Sequence, residues 1–245
     1  MTSEMRNRFR DLHRDGCFVI PNPWDVGSAV RFEQAGALAL ATTSAGFAWS
    51  IGKEDREVTL DELTAHVEAL VAHVGVPVHV DAEHCFDDPA ATVGRLAAVG
   101  ASGVSIEDFD PSAGATDDVA TAAARVGAAA AAAHAHGITL TARADGFLHD
   151  DAGVDELVER LRAYRAAGAD VVFAPGPSDP DVLRALIGAT DAPSNVLIRP
   201  GGPTVAELAA LGARRLSTGG ALARTAYDAA VAQATALLDA RSSAP

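Results

Sequence analysis

The 245-residue chain carries a formal net charge of −14, with 49% hydrophobic but only 5% aromatic residues. An acidic balance of this size argues against nucleic acid and anionic membranes as partners, and no apolar stretch is long and clean enough to span a bilayer. Two cysteines, Cys17 and Cys85, do not make a disulfide framework, so a reducing, cytoplasmic setting is expected.

The opening segment, 1–16, is charged throughout, lacks the apolar core of a signal peptide, and reads as a helical lead-in. After it, short runs rich in β-branched residues predict strands at "CFVIPN", "ALALATTS", "PVHVDAE", "GVSIEDF", "ITLTARAD", "DVVFAPG", "NVLIRP" and "RRLSTGG". Between and after them, helical periodicity marks "DVGSAVRFEQAG", "TLDELTAHVEALVAHVG", "DPAATVGRLAAVG", "ATAAARVGAAAAAAHAHG", "DELVERLRAYRAAG", "DPDVLRALIGAT", "TVAELAALG" and "ALARTAYDAAVAQATALLDA". Strand–helix units repeated in this way predict an α/β chain folded as a single (β/α)8 TIM barrel over 1–245, with 241–245 as a frayed tail. An open doubly wound sheet would carry a glycine fingerprint after the first strand; that turn reads "PNPWDVGS".

Within the strands, apolar and polar residues alternate. Val78, Val80 and Ala82 alternate with His79, Asp81 and Glu83; Val104 and Ile106 with Ser105 and Glu107; Ile138, Leu140 and Ala142 with Thr139, Thr141, Arg143 and Asp145; Val196 and Ile198 with Asn195 and Arg199. A period of two sends these sets to opposite faces. In a barrel the outer face meets the helices, so the polar set faces inward. Its charge collects at the C-terminal strand ends, where barrel enzymes build their sites.

Asp81, Glu83 and Glu107 therefore converge from neighbouring strands, about 4.8 Å apart. Like charges brought together raise one another's pKa unless a cation sits among them. All-oxygen donors of this kind suit Mg2+, with Mn2+ as the alternative; a buried salt-bridge cluster around Arg143 is the competing reading. Arg143 also suits bidentate binding of an anionic substrate. His84 and Cys85 adjoin the acidic run, but an isolated His–Cys pair lacks zinc-ligand spacing. His79 is expected to pack deep in the barrel. The small residues of "TTSAGFAWSIG" allow close approach of backbone N–H groups to an anion, and the following "KEDRE" reads, on its own, as a solvated loop.

"PNPWD", "TTSAGFAWSIGKED", "VDAEHCFDDPA", "SIEDF", "TARADGFL", "VFAPG" and "NVLIRPGG" fall in the order and spacing of the isocitrate lyase/phosphoenolpyruvate mutase superfamily, which the chain resembles from Pro21 to Arg224. The resemblance implies a Mg2+-dependent barrel enzyme, a lyase or hydrolase that cleaves a C–C bond of a small 2-oxo or 2-hydroxy acid, such as an oxaloacetate or a substituted malate, through a metal-stabilised enolate. It makes Asp81 the direct metal ligand, with Glu83, Glu107 and Asp55 holding the metal through waters. Ser44, Ala45, Gly46 and Phe47 become the carboxylate cradle, Arg143 the residue on the substrate oxygens, and the loop around Asp55 a gate. Asn195 and Arg199 extend the pocket. Superfamily lyases carry a cysteine-bearing K-[KR]-C-G-H loop where this chain has only "FDPSAGATDD", so an acid/base role for His84 or Cys85 is expected in its place. A phosphonopyruvate-type C–P cleaving enzyme, and a non-catalytic metal- and 2-oxo acid-binding protein, are the alternatives. A homo-oligomer, dimer or tetramer, is expected.

Overall fold

The computed structural model describes residues 2–150 and 152–242. Its eight-stranded parallel sheet contains β1 (Phe18–Ile20), β2 (Leu40–Ala41), β3 (Val78–Asp81), β4 (Gly103–Glu107), β7 (Thr139–Arg143), β8 (Val171–Phe173), β9 (Ser194–Leu197) and β10 (Arg215–Ser217). The strands run in the order β1-β10-β9-β8-β7-β4-β3-β2. Between β1 and β2, the Ala41 N–H donates to the Pro21 carbonyl at 3.1 Å and the Asn22 amide donates to the Thr42 carbonyl at 2.8 Å. The eight strand–helix units thus form a nearly closed (β/α)8 barrel, as expected.

The expected helices are α2 (Val26–Gln34), α4 (Leu60–His73), α5 (Pro89–Ala98), α6 (Val119–His136), α8 (Val154–Ala166), α9 (Pro180–Ile187), α10 (Val205–Ala210) and α11 (Ala221–Ser242), preceded by the lead-in α1 (Thr2–Asp11). Local chemistry sets their ends. Thr59 and Glu62 close a capping box on α4, Asp88 caps α5 ahead of Pro89, and Asp118 accepts two N–H groups of α6. Gly137 ends α6 at φ 68°, where a Cβ would be strained. Residues 243–245, the end of the expected tail, lie outside the described residues.

The outward alternating set meets the helices: Val80, Ala82, Val104, Ile106, Leu140 and Ala142 share one apolar cluster with α5, α6 and α8. At the N-terminal end, Phe9 of α1 is fully buried and seals the barrel, 4.8 Å from His13 and stacked 5.6 Å from His79.

Three features depart from the sequence expectation. The small-residue stretch forms a helix, α3 (Ser44–Ser50), because Thr43 caps it and Phe47, stacked 3.8 Å from His66, anchors it in the core; packing outweighs the weak propensity of Ser and Gly. The segment after Glu107 folds as a hairpin of β5 (Phe109–Asp110) and β6 (Ala115–Thr116). A short α7 (Gly146–His149) follows β7. No described helix is long and apolar enough to cross a membrane. Along α11, Val231, Leu237 and Leu238 stay exposed.

Candidate active site

A cavity of about 210 Å3 opens at the C-terminal mouth of the barrel, and Ser44, Ala45, Asp55, Asp81, Arg143 and Asn195 all line it. A larger groove of about 770 Å3 lies at the opposite end against α1, and none of the sequence-predicted site residues lines it. The chemistry-bearing residues therefore gather at one end.

Strand geometry places the core of this set. Asp81 ends β3, receives the Ser105 hydroxyl at 3.2 Å on Oδ1, and has its own N–H bound to Thr42 Oγ1 at 2.9 Å. Arg143 ends β7. Its Nε and Nη2 grip both oxygens of Asp145 at 2.5 and 2.7 Å, and its Nη1 lies 3.0 Å from Glu107 Oε2 and 3.9 Å from Asp81 Oδ1. Glu107 is held from the other side by Arg56, whose Nη1 donates to Oε1 at 2.6 Å. Arg56, at φ 72°, also covers the Phe109 ring at 4.3 Å, and His149 stacks on that ring at 3.9 Å. The buried salt-bridge cluster and the acidic site are thus one structure, with Glu107 clamped between two guanidinium groups.

The electrostatics divide the carboxylates into two kinds. Burial pushes Glu107 upward against the pull of Arg143. Burial likewise opposes the charge of Arg143, but Asp145, Glu107 and Asp81 outweigh it and hold the guanidinium firmly charged. Glu83 has far less compensation, from Arg56 alone. Burial, then Asp81, Glu107 and Asp55, push its carboxyl up to about 8, and its Oε1 is buried with no hydrogen-bond partner.

That orphaned oxygen tests whether these residues fit a divalent cation. Among the described residues, no three His, Cys, Asp or Glu side chains close around a point as a direct metal cage. Mg2+ rarely needs one: it keeps several waters and takes one or two carboxylates directly. An open carboxylate at Asp81, a second at Asp55 on the same cavity, and an unpartnered, destabilised carboxyl at Glu83 fit a hydrated cation.

The remaining predicted residues are placed elsewhere. Gly46 and Phe47 do not line the cavity, and their N–H groups bond Thr43. A Cβ on Gly46 would lie 2.6 Å from Thr43 and 3.1 Å from Trp24, so this glycine serves packing. Only Ser44 and Ala45 present the first turn of α3, whose N–H groups lack intrahelical acceptors. Arg199 donates to the Gly176 carbonyl instead of reaching the cavity. His84 bonds Asp117 at 2.9 Å, beside Arg125, which holds the His84 and Phe86 carbonyls. Cys85 is fully buried among core apolar residues, where burial pushes its thiol up.

The cause is local. Glu83, Cys85 and Phe86 all adopt left-handed φ values, 52°, 59° and 54°, so strand alternation stops at Asp81 and the turn swings Cys85 into the core. Cys85→Ser is accordingly expected to leave kcat within about threefold of wild type while lowering stability by about 1 kcal/mol. A loss of turnover beyond tenfold, in a variant with native circular dichroism, would restore Cys85 to the chemistry.

Alternation already turns Asp145 inward, but the sequence alone assigns no role to Asp145, Arg56 or Arg215. Asp145 sits two residues after Arg143, a spacing that brings side chains to one face of a strand. Arg56 lies in a loop, where no periodicity marks it.

The sequence model of phosphoenolpyruvate phosphomutase matches residues 9–238. A crystal structure from Burkholderia cenocepacia J2315, provisionally assigned as a lyase/mutase, aligns with a TM-score of 0.92 at 43% identity, covering 96% of this chain and 88% of that one. The oxaloacetate decarboxylase of Paraburkholderia xenovorans (strain LB400) is 30% identical over 218 residues, 82% of this chain and 70% of that protein. A 2,3-dimethylmalate lyase structure aligns with a TM-score of 0.85 at 29% identity, covering 97% of this chain and 87% of that one.

Proposed function

Because the chain belongs to the phosphoenolpyruvate phosphomutase family, within the isocitrate lyase/phosphoenolpyruvate mutase superfamily, we propose that it is a Mg2+-dependent carbon–carbon lyase acting on a small 2-oxo acid of the oxaloacetate type. The observation that carries this reading is the opening of Asp81, Asp55 and Arg143 onto one cavity, which Ser44 and Ala45 of the first turn of α3 also line. Relatives named as an oxaloacetate decarboxylase, for a 2-oxo acid, and as a 2,3-dimethylmalate lyase, for the related 2-hydroxy acid class, support it.

Asp81 would hold the cation, with Asp55 and Glu83 accepting hydrogen bonds from its waters; Mn2+ would serve as well. The bound cation supplies Lewis-acid stabilisation of the oxygen on which charge develops. Arg143 faces the same cavity with its charge fixed by Asp145 and Glu107, so it meets that charge without reorganising. The β5–β6 hairpin offers no Lys, Cys or His as an acid or base. Loss of CO2 asks for none at the bond-breaking step, because the leaving group departs as a neutral molecule. A decarboxylation therefore matches what this mouth contains better than a cleavage that begins with proton abstraction. An oligomer packed through the exposed residues of α11 belongs to the same reading.

The test is pyruvate release from oxaloacetate. With Mg2+ present, the protein is expected to exceed the rate of Mg2+ alone by at least a hundredfold, and chelation with EDTA should return it to background. A rate equal to the metal-only control, together with tight oxalate binding, would instead make the chain a binding protein.

A further inference from the structure

The floor of the same cavity holds a charge that the chemistry at its mouth leaves unused. Arg215, the first residue of β10, lines the cavity yet is only 3% exposed. Its Nε donates to Asn195 Oδ1 at 2.9 Å, its Nη2 to Thr141 Oγ1 at 3.0 Å, and its Nη1 lies 3.4 Å from His13 Nε2. The His13 Nδ1 is 2.9 Å from the Phe9 carbonyl, which assigns the ring proton there and leaves Nε2 as the acceptor for Arg215. All three partners are neutral: burial, then Arg215 itself, hold His13 down to about 3. Among the described residues no carboxylate pairs with Arg215, whereas Arg143, Arg56 and Arg160 each pair with at least one.

A guanidinium has five N–H donors, and these three contacts leave one hydrogen on each terminal nitrogen unclaimed. That is the number a carboxylate accepts in a bidentate pair. An ion removed from water without a counter-charge is costly, and here the missing counter-charge borders a cavity open to ligand. The floor also connects to the cation ligand. Thr141, bound to Arg215, pairs in register with Ser105, and the Ser105 hydroxyl donates to Asp81.

We infer that Arg215 is the receptor for a carboxylate of the substrate, the one the product keeps, and so sets the substrate with its breaking bond toward the mouth. A carboxylate in a buried guanidinium fork is stabilised as an anion and resists departure as CO2; the group that leaves must therefore lie away from it, toward Leu148, Phe173 and Pro175. The orientation rests on the cleavage proposed above, while the anion site stands on Arg215 alone.

Calorimetric titration with oxalate in the presence of Mg2+, with thermal melts of the ligand-free proteins, tests this on wild type, Arg215→Met and Asn195→Asp. Both variants are expected to lose about ten- to a hundredfold in oxalate affinity. Asn195→Asp keeps the shape of the network but hands Arg215 an internal counter-charge, so it should melt above wild type. Wild-type oxalate affinity in Asn195→Asp overturns the assignment even if Arg215→Met fails to fold. A melting point for Asn195→Asp at or below wild type also overturns it, because Arg215 would then lack no counter-charge. A protein that binds oxalate through Arg215 and cleaves nothing leaves the anion site standing and removes the lyase.

Discussion

Arg143→Lys is expected to keep the barrel folded and to lower kcat/KM for pyruvate release about 10²- to 10³-fold. The charge survives the substitution, so Asp145 and Glu107, both nearly devoid of exposure, are not left facing an empty site. The geometry does not survive. Arg143 satisfies Asp145 through two parallel contacts and still directs Nη1 at Glu107, with Asp81 Oδ1 3.9 Å from the same nitrogen. An ammonium is a point charge on a flexible stem and cannot serve a planar pair of acceptors while remaining aimed at a third group. The expected signature is a fall in kcat with a melting temperature near wild type. Activity within tenfold of wild type would mean that Arg143 only neutralises its neighbours, and the charge-stabilising role proposed for it would pass to the cation or to Arg56.

The parts of this arrangement visible in the sequence are those that a repeating backbone writes down. Period-two alternation in "PVHVDAE" and "ITLTARAD" assigned His79, Asp81, Thr141 and Arg143 to the interior, because a strand can turn its side chains only two ways. Where the backbone ceases to repeat, the inference stops. Extending the alternation one step beyond Asp81 aligned Glu83 with it, yet left-handed φ values at Glu83, Cys85 and Phe86 redirect that turn, and no residue type there announces it. Arg56 reaches Glu107 across 51 positions from a loop, a contact set by tertiary packing alone. Arg215 was hidden differently. It lies in a strand whose reading, "RRLSTGG", contains adjacent arginines, and only the structure shows that Arg214 turns outward to the Gly16 carbonyl while Arg215 turns in.

The interior charges also sort the acidic groups of the site into paired and unpaired ones. Arg143 and Arg56 share Glu107, and Arg143 takes Asp145, so among the described residues Asp55 and Glu83, proposed to flank the cation, have no guanidinium at salt-bridge distance, while Asp81 lies 3.9 Å from Arg143. A barrel that paired every acid would gain nothing from a cation. This one leaves a deficit of positive charge at the mouth and a surplus of it at the floor, a polarity along the axis that a ligand with a cation at one end and a carboxylate at the other would complete.

That polarity depends on a buried anchor that takes no part in the chemistry. Asp108, directly after Glu107, is 3% exposed and accepts three hydrogen bonds: from Tyr164 Oη at 2.5 Å, from Arg160 Nη1 at 3.1 Å and from the Asp145 backbone N–H at 2.7 Å. Asp108→Ala should therefore destabilise the fold by about 3–5 kcal/mol, the cost of stranding a buried guanidinium and two further donors, read as a lower urea midpoint with an unchanged m-value. Arg160 would retain Glu156 and the Asp117 carbonyl, which sets the estimate toward the lower end of that range. Asp108→Asn keeps the shape and one acceptor and should cost less, about 1–2 kcal/mol. The two variants also separate stability from positioning. The N–H that Asp108 holds belongs to Asp145, and Asp145 aims Arg143, so kcat should fall in Asp108→Asn even well below its melting temperature, with oxalate affinity changed less than kcat. A stability loss under 1 kcal/mol in Asp108→Ala would mean that water or a rotated Glu156 replaces the carboxylate, and that Arg143 takes its direction from Glu107 instead.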